Sequence, residues 1–396
     1  MGEQSLPRTV GVGVIGAGWM GNVHARAYAR LRHHYPELGV APRLVAVSDP
    51  VPTQLESFTR RYGTRRSDAD WHAMLEDPEV EVVSVTAPNA LHREIGVAVA
   101  RAGRHLWIEK PVGLAAADAR AVADAVAEAG VQATVGFGYR NAPAVARARE
   151  LVRGGAIGTP THARVHLLTD YAAHPGGALT WRFTRADGGN GVLGDLASHG
   201  IDLVRFLLGD LEELVADTAV FVPRRPLATP GGSHYAVVDA GAAEAPSGEV
   251  ENEDYVCALL RTRGRVRVTL EASRVATGDQ NTYGFVVHGT KGQVAWDFRR
   301  PGELVASVGD DYQNQPATTI LAGPGDGDYA AFQPGAGIAM GFDDLKVVEA
   351  AAFLRGVLDG TPHGPTLQDS VRSAEALEAM VESAATRAWV RLAPGG

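Results

Sequence analysis

The sequence predicts an α/β protein in two parts: a doubly wound parallel sheet, then an α+β domain with a large open, mostly antiparallel sheet. Three observations predict it. The 396 residues are too many for one ordinary core, at roughly 150–200 residues per domain. Strand-like and helix-like segments alternate through residues 1–137, the rhythm of β-α-β units. After about Gly138 strands follow one another directly, across short turns such as Thr262-Arg263-Gly264 and Gly289-Thr290-Lys291-Gly292.

The elements are read in order. Thr9–Ile15 is an apolar run ending in Gly16, a buried strand, and Met20–Leu31 has helical spacing. Arg43–Ser48 is a second strand closed by Asp49-Pro50, and Arg32–Pro42 reads as a loop added before it. Leu55–Tyr62 and Trp71–Leu75 are short helices, Val80–Thr86 a third strand, Leu91–Ala102 a helix and His105–Ile108 a fourth strand. The alanine-rich Ala115–Ala129 is a long helix, and Gln132–Gly136 is a fifth or sixth strand of the parallel sheet. In residues 138–396, Pro143–Arg153 and Asp195–Leu208 are helices. Pro160–Leu168, Leu214–Val222, Tyr255–Arg261, Arg265–Ser273, Thr282–His288 and Gly292–Phe298 are strands. Pro223–Glu249 has no period and reads as an insertion loop; Asp310–Ala339 is irregular and Gly-rich. Two helices, Asp343–Leu358 and Leu367–Ala388, end the chain and can pack back on the first domain.

Composition narrows the class. Hydrophobic residues make up 45% and charged residues 21%, as in a soluble globular protein. Acidic residues outnumber basic ones 46 to 37, which argues against a nucleic-acid surface. A single cysteine, Cys257, excludes an internal disulfide; its apolar surroundings suggest a buried structural thiol in a reducing compartment. Met1–Arg8 lacks the charged start and apolar run of a signal peptide, and no stretch is long and apolar enough to span a membrane. A cytoplasmic protein is expected. There is no H-E-x-x-H and no cysteine cluster, so no metal is expected, and His33-His34 reads as solvated.

Gly16-Ala17-Gly18-Trp19-Met20-Gly21 is a G-x-G-x-x-G directly after a strand and before a helix. Gly16 permits a tight turn, Gly18 lets backbone approach a pyrophosphate, and Gly21 lets helix and strand pack closely. Phosphates then meet the free N–H groups at the positive end of the helix. Asp49, at the end of the second strand, can accept from ribose hydroxyls and repel a 2′-phosphate; no Arg follows it in Pro50-Val51-Pro52. This favours NAD over NADP.

Two further segments carry chemistry. Glu109-Lys110-Pro111 follows the fourth strand, at the carboxyl edge where open α/β sheets bind ligands. Lys110 can hydrogen-bond a substrate oxygen and stabilise charge developing there. In Gly188-Gly189-Asn190-Gly191-Val192-Leu193-Gly194-Asp195, followed by His199 and Asp202, the Asp195/His199 spacing places both on one helix face. His199 suits a general acid/base, Asp195 a helper or a mere N-cap, and Asp202 a supporting partner. The glycine run is read as room for a ligand to approach.

With Ala87-Pro88-Asn89 and His92, these motifs resemble the Gfo/Idh/MocA oxidoreductases, nearly over the whole chain. The resemblance implies Lys110, Asp195 and His199 as the catalytic group. It implies Gly16, Gly18, Trp19, Met20, Gly21, Asp49, Ala87, Pro88, Asn89, His92, Glu109 and Lys110 around NAD. Phe137-Gly138-Tyr139-Arg140 and Leu179-Thr180-Trp181-Arg182-Phe183 are similar to the family's levoglucosan dehydrogenase-like members, although Asn is usual where Gly138 stands. The substrate implied is a sugar or cyclitol, with Tyr139, Asp170, Trp181 and Arg182 as further candidate ligands beside Lys110, Asp195 and His199. Redox-neutral glycosidases and non-catalytic regulators of the same fold are the alternative readings. The open sheet suggests a homodimer or homotetramer.

Overall fold

The computed structural model describes residues 7–227, 237 and 246–394. Its elements begin β1 (Arg8–Ile15), α1 (Trp19–His34), β2 (Val40–Ser48), α2 (Pro52–Tyr62), β3 (Arg66–Asp68), α3 (His72–Leu75) and β4 (Val82–Val85). Next come α4 (His92–Arg101), β5 (His105–Ile108), α5 (Ala116–Ala129), β6 (Ala133–Val135), α6 (Pro143–Arg153) and β7 (Pro160–Leu168). They continue with α7 (Arg185–Gly188), α8 (Ser198–Leu208), β8 (Leu211–Ala219), β9 (Arg224–Pro226), β10 (Ser247–Glu249), β11 (Tyr255–Thr262), β12 (Arg267–Ser273) and β13 (Thr282–Gly289). The last are β14 (Gly292–Asp297), β15 (Glu303–Val308), β16 (Thr318–Leu321), α9 (Phe342–Asp359), α10 (Leu367–Thr386) and β17 (Val390–Arg391).

The chain divides into two compact units. The first comprises Met1–Gly113, Ala117–Asn141 and Met340–Val371; the second comprises Leu114–Ala116, Ala142–Ala339 and Arg372–Gly396. Helix α9, far along the sequence, therefore belongs with the N-terminal unit.

In the first unit six parallel strands are ordered β3-β2-β1-β4-β5-β6. Val10, Val12, Val14, Val82, Val83, Val85, Leu106 and Ile108 are buried, which is why these strands read as continuous apolar runs. The order reverses direction between β1 and β4, so the loops after them diverge and open a crevice at the carboxyl edge. The supposed loop Arg32–Pro42 is mostly regular. Helix α1 runs on to His34, helped by Arg32, His33 and His34 at its negative end, and β2 begins at Val40. Only a short turn around Pro36–Leu38 connects them. The buried Tyr35 ring, capped by Arg355 at 5.1 Å, anchors that turn to α9. Trp19 stacks on Phe342 at 5.7 Å, and Arg26 bonds Asp343 at 2.6 Å, so α1 and α9 lie side by side.

In the second unit nine strands are ordered β16-β15-β14-β13-β7-β12-β11-β8-β17. All neighbours are antiparallel except β7 and β12, which run parallel. Helices α6 and α8 pack on this sheet. Strand β11 alternates, with Val256, Ala258 and Leu260 buried and Cys257 and Leu259 exposed. Cys257 is therefore not a buried thiol: the period of two turns it to the face opposite Val256. The stretch Pro223–Glu249 is not a loop at its ends, because β9 and β10 pair antiparallel there; its middle, 228–236 and 238–245, lies outside the described residues, as does Met1–Leu6. Likewise Asp310–Ala339 contains β16, which pairs with β15.

Candidate active site

The first unit builds a dinucleotide cradle. After β1, Gly16 turns with φ +96°, and a Cβ there would come within 2.7 Å of the Thr86 carbonyl. A Cβ on Gly21 would lie 2.0 Å from the Gly16 oxygen, so only glycine lets α1 sit this close to β1. Gly18 caps α1 without a side-chain hydrogen bond, the first turn holds no acidic residue, and a Cβ there would meet nothing within 4 Å. The helix thus keeps open space and unclaimed N–H groups at its positive end, which fits a pyrophosphate. Asp49 accepts from the Ala17 amide at 2.8 Å through Oδ2 and from the Val51 amide at 2.9 Å through Oδ1. A carboxylate has about four acceptor positions, so two remain for a vicinal ribose diol. Trp19 is 56% exposed beside this turn, and Met20, Ala87, Pro88 and Asn89 are half-buried.

Two residues expected around the cofactor have other work. His92 is buried, its Nδ1 2.7 Å from the Pro111 oxygen and its Nε2 2.8 Å from the Ala87 oxygen. The ring is wedged between the Ala87 and Pro111 loops; burial, opposed by those carbonyls, holds its pKa down, and the neutral ring donates to one of the two. Glu109 is buried as well. Its Oε1 accepts from Lys346 Nζ at 2.6 Å and meets His24 Nε2 at 3.0 Å, which consumes the carboxylate inside the protein. Burial alone would raise its pKa, but Lys346 and His24 hold it below the usual carboxylate range. Lys110, half-buried, follows it at the end of β5, and its peptide bond to Pro111 is cis. Tyr139 is buried in the turn Gly138–Asn141, and the neighbouring Arg140 pairs with Asp369 at 3.2 Å.

Within the second unit, taken by itself, Asp195 is not a helix cap, because its amide bonds the Gly191 oxygen at 3.0 Å and it lies inside a π-turn, Leu193–Ala197, that leads into α8. Such turns cluster at functional sites. Tyr171 donates to Asp195 Oδ2 at 2.8 Å, and Arg182 NH1 stands 3.6 Å from Oδ1. Burial and the Asp195 charge push the Tyr171 hydroxyl far up, so it stays a donor. Arg182 also lies over the Trp181 ring at 4.5 Å. His199, half-buried, sits in the first turn of α8, and Asp202 is buried on the same helix. Asp170 is half-buried, next to the Tyr171 that holds the Asp195 carboxylate.

The glycine run is not ligand space. A Cβ on Gly191 would strike the Glu253 oxygen at 2.2 Å, and one on Gly188 the Trp181 oxygen at 2.7 Å. A buried polar cluster from the far end of the unit holds it: Arg274 bonds Asp254 at 2.8 Å and Asn252 at 2.9 Å, and Asn252 bonds the Gly189 oxygen at 2.9 Å. Glu253 accepts the Leu193 amide at 3.1 Å and so fixes the start of the π-turn. Sequence reading missed Tyr171, this cluster and the His24–Glu109–Lys346–Glu349 network. The polar run Glu251-Asn252-Glu253-Asp254 before an apolar strand was the available signal for the cluster.

Among the described residues the one His/Asp/Glu group with metal-ligand spacing is His24, Glu109 and Glu349, and the Lys346 ammonium bonds both of its carboxylates. No described helix is long and apolar enough to cross a membrane.

Comparison with known proteins adds the following. The description "Oxidoreductase family, NAD-binding Rossmann fold" matches residues 10–137, and "GFO/IDH/MocA C-terminal domain" matches 145–295. Levoglucosan dehydrogenase of Pseudarthrobacter phenanthrenivorans is 33% identical over 384 residues, covering 97% of this chain and 98% of that one. Inositol 2-dehydrogenase of Rhizobium meliloti is 29% identical over 365 residues, 89% of this chain and 98% of that one. A solved levoglucosan dehydrogenase, in complex with NADH and levoglucosan, superposes with a TM-score of 0.89 at 31% identity, covering 97% and 99% of the two chains.

Proposed function

Because the chain belongs to the Gfo/Idh/MocA family of NAD-binding oxidoreductases, we propose that it moves hydride between nicotinamide and a secondary hydroxyl of a sugar, anhydrosugar, glycoside or cyclitol. One observation carries the reading: a single chain keeps Lys110 at the carboxyl edge of the NAD-binding sheet together with a clamped Asp195 four residues before His199. Lys110, Asp195 and His199 form the catalytic group. The relatives named for levoglucosan and inositol support the substrate class.

The backbone of Gly16–Gly21 holds the pyrophosphate, Asp49 the ribose, and Trp19, Met20 and Ala87–Asn89 flank the dinucleotide. Bound NAD supplies the hydride acceptor. Lys110 donates to the reacting oxygen and stabilises the charge that grows there. His199 removes the hydroxyl proton. Asp195, oriented by Tyr171 and Arg182, accepts from a substrate hydroxyl and keeps the ring in register. Tyr139, Asp170 and Trp181 contact the rest of the ring.

The test is a screen of NAD reduction over levoglucosan, inositols, glucosides and amino sugars. Stoichiometric NADH from one of them supports the reading. Aglycone release without NADH identifies a redox-neutral glycosidase instead, and tight NADH binding with no turnover identifies a regulator. We further propose a homodimer or homotetramer formed through the sheet face that carries Cys257 and Leu259, measured by light scattering after gel filtration. A cytoplasmic setting suits the lone exposed thiol and the NAD chemistry.

A further inference from the structure

We propose that Lys346 is a positioning residue for Lys110: from α9 it grips the Glu109 carboxylate, and with it the end of β5 that carries the active-site lysine, while Glu349 anchors Lys346 from behind. The inference rests on the reading of Lys110 as catalytic.

The sequence holds only three lysines, Lys110, Lys291 and Lys346, among 37 basic residues. Arginine serves nearly everywhere else. Lys291 is in an exposed hairpin turn, bonded to Asp310 at 2.8 Å. The other two belong to one locus. Lys346 is 2% exposed, and its Nζ lies 2.6 Å from Glu109 Oε1 and 3.0 Å from Glu349 Oε1. The ammonium also stands 5.7 Å from the centre of the Trp107 ring. A compact ammonium fits between these two carboxylates beside the ring; a planar guanidinium on a longer fork does not match the same place.

Glu109 is held from two helices at once. His24, on α1 one turn after Gly21, reaches it at 3.0 Å, and the other His24 nitrogen meets Ser84 at 3.1 Å. The His24 ring stacks on Trp107 at 3.6 Å, and Trp107 donates to Glu349 Oε1 at 2.6 Å. The backbone leaves room for the network. A Cβ on Gly136 would lie 2.5 Å from the Glu109 carboxylate, and one on Gly138 would lie 3.1 Å from Glu349 Oε2. The glycine at 138 thus goes with the buried acid facing it.

Such a network is a weak source of stability, because apolar groups of the same volume pack at least as well. What it does supply is a fixed carboxylate immediately before Lys110. Glu109 and Lys110 share the peptide unit just past the end of β5, so a pinned Glu109 fixes the backbone from which the Lys110 chain departs.

Three lysines give three signals in a protein labelled with 13C at lysine Cε, and this sets the test. In Lys346→Met with NADH bound, the Lys110 signal should move from its wild-type position while Lys291 stays. With the best sugar from the screen, kcat should fall on the order of tenfold to a hundredfold. KM for NAD should hold within about twofold, since uniform binding is untouched. The deuterium isotope effect on kcat should rise as hydride transfer becomes limiting. Lys291→Met should leave all of these at wild-type values. A folded Lys346→Met with an unmoved Lys110 signal and unchanged kcat and isotope effect overturns the proposal. If that variant does not fold, Lys346→Met/Glu349→Gln removes one cation and one anion together and is read in the same way. The resonance arm needs no substrate, so a wild-type protein that oxidises no sugar refutes the proposed function while Lys346 is still judged.

Discussion

Glu349→Gln should make the protein lose stability on acidification between about pH 6.5 and 4.5, a range in which the native network is level. Burial, against the pull of Lys346, pushes the Glu349 carboxyl up from 4.5 to about 7. Burial, against the pull of Glu109, pushes His24 down from 6.5 to about 4. Both face Lys346 from α9, Trp107 from β5 and Glu109 just after it; Glu349 also faces Asn141 after β6 and Tyr28 on α1, and His24 faces Ser84 on β4. In the unfolded chain, between pH 4.5 and 6.5, His24 holds a proton and Glu349 does not. In the folded protein the same proton count is kept with the residues exchanged, so the pair contributes no slope.

With Gln at 349 only the depressed histidine is left. The unfolded chain then binds one more proton than the folded one below about pH 6.5, so stability falls by about 1.4 kcal/mol per pH unit, close to 3 kcal/mol over the window. Both groups are fully buried, so solvent screening takes little from this figure. Urea unfolding of both proteins from pH 4.5 to 7, followed by tryptophan fluorescence, gives the difference curve and cancels every other titrating group. The wild-type advantage owed to a raised carboxyl is full below the unfolded pKa and disappears as pH climbs through about 7. A difference curve with no tilt across that range refutes the proton count.

Four active-site changes follow from the same geometry. Asp49→Asn removes the charge and turns one of the Ala17 and Val51 amides toward an NH2 group; NADH affinity should drop roughly tenfold to a hundredfold, and NADPH should suffer less. Fluorescence titration of both nucleotides checks it, and an unaltered NADH/NADPH ratio would remove Asp49 from cofactor selection. Lys110→Ala should nearly abolish turnover while NADH still binds; wild-type rates would take Lys110 out of the mechanism. His199→Ala should slow the reaction most at low pH, where hydroxide is too scarce to replace the base, so a pH–rate profile parallel to wild type contradicts its role. Tyr171→Phe deletes the donor to Asp195 and should lower kcat/KM by about tenfold to a hundredfold with NADH affinity intact, as a hydrogen bond to a charged group implies.

Local signals were legible and long-range ones were not. The glycine turn, β5, α6 and β7 could be read residue by residue, because period and punctuation lie within each segment. Strand β3, Arg66–Asp68, could not: three polar residues carry no period, and only pairing with β2 makes them a strand. Leu367–Thr386 was recognisable as a helix, but no pattern shows that α9 settles on α1, since that depends on contacts such as Arg26–Asp343 across most of the chain. The resemblance places Glu109 beside the cofactor with its sequence neighbours; its partners, His24 and Lys346, stand 85 and 237 positions away and carry no local signal.

The acids of the site show why residue type and place in a motif do not settle a role. Three carboxylates stand at the ends or turns of elements that a dinucleotide enzyme uses, and all three looked available. Acceptor positions and burial together separate them. Asp49 gives two to backbone amides and keeps two, so it can both stiffen the glycine turn and read a diol. Asp195 accepts from Tyr171 and faces Arg182, so its carboxylate is held in one orientation. Glu109 also gives two, both on Oε1, but it is buried between an ammonium and an imidazole in a space that glycine 136 closes, so burial and not the count turns it inward. In the proposed reaction Asp49 and Asp195 contact their ligands directly, while any influence of Glu109 on the chemistry must pass through the backbone it shares with Lys110. A Glu109→Gln variant that changed NADH affinity more than kcat would reverse that ordering.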